Sequence, residues 1–421
     1  MNRLTVGIVT ESSNLPTNGG SFSYSQTWLN GIKNFTFDER IVIINVFIDA
    51  DNLTVSFKKQ PITNNQSIAP QVKISATKKV YVFSKVFLKS NPVISFLHKK
   101  IKLIKKNKIE KLLIKNKIDV LYYLHHTNAV LNYPFIATHW DVAHRSTYPF
   151  PEIAMNNHNK TRENYYVNTL NKALLILCES NAGCDELKTF YPSFSSKIKT
   201  LPLFASDIIN LKKSTNTDFV LNKYHVTVYK YFLYPAQFWA HKNHYNLIIA
   251  FKQFLDKNIQ NKIKLILCGS DKGNMNYIKD LVLALHLTEN VLITGFVPDQ
   301  DLAVLYKNAI ALVMPTFLGP TNMPLIEAAH IGCPVICSDF AGHREIMGEH
   351  AIFINPKNAN EIELAMAKML SYNFRNNLVK NAYEHIKNSP FNLQKSLKIL
   401  NSFLIDILPV RKTWGLNSDL F

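Results

Sequence analysis

The chain has 421 residues, 47% hydrophobic and 11% aromatic, enough to bury sizeable cores in two or three domains, which excludes a disordered chain. Its formal charge of +18, from 48 Lys and Arg against 30 Asp and Glu, favours anionic partners such as nucleic acid, anionic lipid or phosphate-bearing small molecules. Five cysteines, an odd number set mostly in apolar runs, read as reduced, buried thiols of a cytosol-like compartment, and no stretch approaches the roughly eighteen apolar residues of a spanning helix.

Taken in order, the opening MNRLTVGIVTESS is too short in its apolar run for a signal peptide and reads as a first strand, Leu4 to Thr10. A loop, Glu11 to Gly20, leads to a helix from about Ser21 to Ile32. Gly19 and Gly20 at its entrance let a ligand approach the backbone, or simply make a flexible loop. A strand from Arg40 to Ile48 precedes a region of hairpin character, Leu53 to Val82. Lys99, Lys102, Lys105 and Lys106 then open a lysine-rich run to Lys117, interleaved with Ile101, Ile104, Ile109, Leu112 and Leu113. This basic amphipathic helix suits either an anionic membrane surface or the solvated face of a surface helix; no recognisable nucleic-acid module accompanies it.

After a strand from Val120 to Leu124, the segment PFIATHWDVAHRSTYPFPE (Pro134 to Glu152) holds a strand end followed by His139, Trp140, Asp141, His144 and Arg145. Polar residues at the carboxyl end of a strand in an open α/β sheet point into its ligand crevice. They read as substrate contacts, with a structural histidine and a metal site as the other readings. A helix (Thr161 to Asn171), a strand (Ala173 to Leu177) and a helix capped by Glu179-Ser180 (Ala182 to Phe190) follow. Polar residues then accumulate (LKKSTNTD), which marks a linker.

A second α/β pattern starts at Tyr231, with Lys242 at a helix mouth, where an ammonium and the helix dipole together hold a diphosphate. Strands at Lys264 to Cys268 and Val291 to Thr294 each precede a helix. The strand Ala309 to Met314 then runs into PTFLGPTNMPLIEAAHIGCPVICSD, a Gly-, Pro- and Asn-rich turn and a helix beginning near Pro324. Unpaired first-turn amides make that mouth an anion site, and Glu327, one turn in, is placed to accept hydrogen bonds from a ribose. An ordinary strand–turn–helix with a solvated Glu is the competing reading. Cys333 and Cys337 lack the second pair that a zinc site needs. Strands alternating with helices, twice over, predict two doubly wound domains.

At this point the chain resembles the retaining GT-B glycosyltransferases of family 4. The runs VLITGFVPDQDLAVLYKNAIALVMPTF and PLIEAAHIGCPVICSDFAGHREIMG carry the resemblance. It implies an α/β, GT-B fold: two Rossmann-like, doubly wound domains facing a cleft, with a C-terminal helix crossing back to the first domain. The expected division is 1–205 for the acceptor-side domain, 206–225 for the linker, 226–392 for the nucleotide-sugar domain and 393–421 for the helix and tail.

Carried over by resemblance, Lys242 holds the donor diphosphate, Glu327 contacts the ribose, and Asn322 and Met323 approach the donor by their backbone. Gly19 and Gly20 lie by the phosphates, His144 lies near the reacting sugar, and His139, Asp141 and Arg145 are on its acceptor side. Lys242, Glu327 and His144 are thereby the expected catalytic set. Two positions depart from the family pattern. Gly319 stands where a first glutamate is usual, and Gln237 where an arginine is usual; both remain on the donor side. The resemblance implies transfer of a hexose from a UDP- or GDP-linked sugar to a glycan or lipid-linked glycan of the bacterial cell surface. It implies no cofactor, no metal and no nucleic acid, in a cytoplasmic protein peripheral to the membrane. The rival readings are a non-catalytic binding or scaffold protein, an epimerase and a phosphorylase.

Overall fold

The structure, a computed structural model, describes residues 3–11, 19–49, 54–59, 109–125, 132–211, 216–258 and 262–414. Lys99, Lys102, Lys105 and Lys106, and most of the expected hairpin region, lie outside them. The helical residues 109–115 end the basic run; they bury Ile109 and Leu113 and expose Lys111 and Lys115.

Seven strands form the first sheet: β1 (Leu4–Glu11), β2 (Ile41–Asp49), β3 (Thr54–Lys59), β4 (Val120–Tyr123), β5 (Phe135–His139), β6 (Leu175–Cys178) and β7 (Ile198–Thr200). Their order is β3-β2-β1-β4-β5-β6-β7, parallel throughout except that β3 runs antiparallel to β2. β4 and β5 are buried along their whole lengths. A parallel strand covered on both faces needs a near-continuous apolar sequence, which VLYY and FIATH supply, with Thr138 donating to the Tyr123 carbonyl at 2.7 Å.

Six strands form the second sheet: β8 (Tyr231–Pro235), β9 (Lys264–Cys268), β10 (Val291–Gly295), β11 (Leu312–Met314), β12 (Val335–Ser338) and β13 (Ile352–Ile354). All are parallel, in the order β10-β9-β8-β11-β12-β13. In each sheet the strand order reverses beside the first strand, between β1 and β4 and between β8 and β11. A crevice opens at the carboxyl ends of the strands at such a switch point. The second-sheet helices that matter below are His244–Lys257, Met323–Ile331 and Ala341–Met347.

Between the sheets, the stretch read as a linker holds a short 3-10 turn, Asp207–Asn210, and a helix, Thr217–Lys223. Its end is fastened to the second sheet's layer, since Lys223 Nζ and Tyr224 OH both donate to Asp301 Oδ2, at 2.6 and 2.9 Å. The last helix, Leu393–Lys412, returns to the first sheet. It buries Leu397, Leu400, Leu404 and Leu408, and Leu393 packs so tightly on Gly31 that a Cβ there would lie 2.9 Å from it. Asn401 Oδ1 accepts from the Asp38 amide at 2.9 Å, and Arg411 donates to Asp119 at 2.6 Å.

Candidate active site

The two crevices face each other across one cleft of about 1130 Å³, lined by Gly19, Gly20, Trp140 and Asp141 on one side and Gln237, Lys242, Asn322 and Glu327 on the other. The carboxyl ends of β1 and β4 supply Gly19–Ser21 and His125 to it. Those of β8 and β11 supply Gln237–Lys242 and Gly319–Met323. The ends of the strands flanking each switch point thus contribute to both halves of the wall, with Trp140 and Asp141 added from the end of β5.

Positive potential collects on the second-domain side. The helices His244–Lys257 and Met323–Ile331 have Asn243 and Asn322 as N-caps, and neither side chain caps its own helix. In the second of these Pro324 has no N–H and the Leu325 amide donates to the Asn322 carbonyl at 3.1 Å, so Met323 supplies the first-turn amide, and the positive end of that helix's macrodipole meets the cleft lined by Asn322, Met323 and Pro324. Lys242, the residue before Asn243, lines the cleft, and its Nζ donates to Asn322 Oδ1 at 3.2 Å. Burial lowers the Lys242 pKa to about 8, although Asp141 and Glu152 pull it back up. An arriving diphosphate would supply the missing counter-charge.

The Asn322 amide is fixed by a chain of bonds. His343 Nδ1 lies 2.8 Å from the Ser338 carbonyl, so it carries the proton, and Nε2 accepts from Asn322 Nδ2 at 2.9 Å. Burial lowers the His343 pKa to about 4, which keeps the ring neutral and able to accept. The loop before Asn322 is fixed by two glycines. Gly319 has φ +110°, and a Cβ there would lie 2.9 Å from Asn322 Nδ2; a Cβ on Gly342 would lie 1.7 Å from the Pro320 carbonyl oxygen.

Glu327 is 6% exposed, at the base of the cleft. Its Oε1 accepts from Ser206 Oγ at 2.5 Å and its Oε2 from Tyr306 OH at 3.2 Å. Burial raises its pKa, while these two hydroxyls oppose the shift. The Ser206 backbone amide is a third donor to this carboxylate, which still leaves it lone-pair capacity for a further donor.

On the first-domain side, Gly19 has no side chain to cap the helix Gly20–Asn34 and abuts the Gln237 amide, whose Nε2 would be 3.2 Å from a Cβ at Gly19. Asp141 lines the cleft, held by Arg162, whose guanidinium donates to its carboxylate and, at 2.9 Å, to its carbonyl. Glu152 crosses the cleft, where Oε1 accepts from the His241 amide at 3.0 Å and meets Nδ1 of the same residue at 2.5 Å.

Three expected contacts sit elsewhere. His139 is fully buried within β5 and packs against Tyr166, because that strand is covered on both faces; burial lowers its pKa to about 3. The His144 side chain, 1% exposed, is enclosed behind the cleft. Its Nε2 lies 2.9 Å from Tyr191 OH and 3.2 Å from Glu163, and Nδ1 accepts from Arg162 at 3.4 Å. Burial and then Arg162 lower its pKa to about 4, so it is a neutral ring that supports Arg162 and hence Asp141. Arg145 turns outward to pair with Glu163 and stack over Tyr191.

Sequence reasoning passed over His125, Glu152 and His241 as wall residues, whereas Trp140, singled out with the strand end, does line the cleft. His125 follows β4 directly and was open to the strand-end rule that flagged Asp141. Its ring is held by Ser21 and Ser25, each at 3.0 Å. Glu152 and His241 carried no such signal, since 89 residues separate them and only the docking of two domains joins them. Among the described residues, no group of three or more His, Cys, Asp or Glu side chains is arranged to hold a metal ion, and no helix is long and apolar enough to cross a membrane.

Residues 222–385 match the family described as Glycosyl transferases group 1. The chain is 27% identical over 217 residues to O-antigen chain mannosyltransferase B of Escherichia coli, a match that spans 51% of this chain and 57% of that relative. Over nearly the whole chain the fold is similar to that of sucrose-phosphate synthase from Thermosynechococcus elongatus, with a TM-score of 0.67, 15% identity and coverage of 97% and 100% of the two chains. It is equally similar to Anabaena HepE crystallised with UDP and glucose, with a TM-score of 0.66, 13% identity and coverage of 96% and 100%. At these identities the likeness is one of fold: two α/β domains about a cleft, the GT-B arrangement expected from the sequence.

Proposed function

From a chain whose residues 222–385 match the glycosyl transferases group 1, we propose a retaining transferase that moves a hexose from a nucleoside-diphosphate sugar to a hydroxyl of a cell-surface glycan. The observation that carries this reading is the placing of Lys242 against Asn322, the N-cap of the helix Met323–Ile331, across one cleft from Gly19 and Gly20. The O-antigen role named for the Escherichia coli relative supports the acceptor class, and the UDP and glucose bound by HepE support the donor class.

In this reading the diphosphate lies against Lys242, the Met323 amide that opens the helix Met323–Ile331, and the amides of the Gly19–Gly20 turn. Glu327 accepts from the ribose hydroxyls, using the lone pairs that Ser206 and Tyr306 leave open. As the sugar–phosphate bond breaks, negative charge grows on the leaving phosphate, and fixed donors aimed at that charge lower the barrier without rearranging. The acceptor hydroxyl arrives on the same face, and its proton passes to the leaving phosphate oxygen, so neither a protein base nor a metal is needed. His144, enclosed by Tyr191, Glu163 and Arg162, acts at one remove through Asp141. UDP or GDP is the nucleotide class, and a peripheral position at the inner membrane face, held by the lysines from Lys99 to Lys106, completes the proposal.

Nucleoside diphosphate release from UDP-, GDP-, ADP- and dTDP-sugars tests it, with wild type and Glu327→Ala side by side. Release from one donor, reduced about 100-fold or more in the variant, is the expected result. No release and no nucleotide-induced thermal shift, even with envelope lipid extract present, would leave the scaffold reading in its place.

A further inference from the structure

Beside the cleft, on the far side of the loop that follows β11, lies a groove of about 640 Å³. That volume falls within the roughly 300–1,000 Å³ range of small-ligand pockets. Tyr148 of the first domain forms one wall, and Phe317, Phe340 and Phe353 of the second form the other. Tyr148 is 51% exposed, its ring meets Phe317 edge-on at 6.5 Å between centroids, and Lys357 Nζ stands 5.1 Å from its centre. Phe317 also stacks at 5.7 Å on Phe150, which in turn meets the cleft residue His241. Leu318 and Gly319, next along the chain, line the cleft itself. One loop therefore presents Phe317 to the groove and its next two residues to the cleft.

A hexose ring has a face of C–H bonds and a rim of hydroxyls. The C–H face, slightly positive, packs on the negative face of an aromatic ring, and the rim needs hydrogen-bonding groups within reach. Exposed Tyr148 supplies the first, and Asn355 and Lys357 line the groove to supply the second, while Arg145 beside them is held by Glu163. The two carboxylates in the groove are already engaged. Asp339 accepts from Arg344 at 2.6 and 3.0 Å, and Glu361 accepts from the Asn355 amide at 2.8 Å and from Asn358 at 3.0 Å. What remains on offer is aromatic carbon with donors around it, which suits sugar units and does not suit a cation.

We propose that this groove is a subsite for hexose units of the acceptor glycan, holding the chain while its reacting end lies in the cleft beyond Phe317. This rests on the transferase reading above. Because the two domains each contribute a wall, the subsite is complete only when they are together, which couples acceptor binding to closure.

The test is saturation-transfer NMR of the full-length protein with an α-linked mannobiose, a glucobiose and a galactobiose, using wild type, Tyr148→Ala and Tyr148→Phe. Donor turnover is followed in parallel. Transfer to the ring C–H protons of at least one disaccharide is expected. Affinity should fall about fivefold in Tyr148→Ala and stay within about twofold in Tyr148→Phe, which keeps the stacking face. The KM for an accepted glycan should rise by the same factor, with the donor KM unchanged. No disaccharide bound by wild type, or equal binding by Tyr148→Ala, overturns the subsite. Donor turnover separates this from the parent reading: if it persists while no disaccharide binds, only the groove is wrong, and if it is absent, the transferase reading fails.

Discussion

At the scale of the residue, Lys242 is the group on which the chemistry turns. It is an ammonium in a partly closed place, and burial has already brought its pKa to about 8. A diphosphate binds the charged form, so affinity should be level below about pH 8 and fall by up to tenfold per unit above it. Isothermal titration of the accepted nucleoside diphosphate between about pH 7 and pH 9.5 would read this directly, and Lys242→Arg, charged throughout, should flatten the profile. A profile unchanged by Lys242→Arg would remove the lysine from the phosphate site. His343 belongs to the same network one step back. With Phe in its place, Asn322 Nδ2 loses its 2.9 Å acceptor. A KM effect on the donor of about tenfold is expected from one lost buried hydrogen bond, with the fold intact by circular dichroism.

Among the elements, the loop between β11 and the helix Met323–Ile331 is shaped by what presses on it. The helix Ala341–Met347 approaches so closely that a Cβ on Gly342 would sit 1.7 Å from the Pro320 carbonyl oxygen. Gly342→Ala should therefore push the loop aside, cost about 2–4 kcal/mol in denaturant unfolding and abolish nucleotide binding. Retention of both would mean that the loop is freer than its contacts indicate. The helix Leu393–Lys412 presents a different case, since its apolar stripe is buried far from the site. Leu404, fully buried, should cost about 2–5 kcal/mol as Leu404→Ala while leaving the donor KM unchanged below the unfolding transition.

In the whole molecule, the two domains are joined by hydrogen bonds as well as by the chain. Glu345 of the second domain accepts from the first amides of the helix Asn181–Phe190 in the first, Asn181 N and Ala182 N, both at 2.9 Å. A carboxylate at a helix N-terminus gains from the dipole as well as from the bonds. Glu345→Ala should thus shift the molecule toward a more open form, about tenfold in the closing equilibrium, seen as a larger radius of gyration by X-ray scattering without nucleotide. An unchanged radius would mean that other contacts hold the domains. Much of this organisation was legible in the chain itself. Apolar runs such as VLYY and LVM, alternating with amphipathic stretches, can only form parallel sheets covered by helices. Gly-, Pro- and Asn-rich turns at strand ends mark where ligands meet the backbone, so Lys242 and Glu327 could be picked out by position, and Asn322 by family resemblance. What the sequence could not determine is which way a side chain faces once its strand is packed, or what lies opposite it. His139 and His144 read as cleft residues because they follow a strand end, yet the covering of β5 on both faces and a Tyr–Glu–Arg cluster draw them into the interior. Glu152 and His241, Ser206 and Glu327, and the groove between Tyr148 and Phe317 arise where separate stretches meet. Local sequence dictates local backbone and burial, but contacts between domains depend on how two finished surfaces fit, and only the tertiary structure decided those.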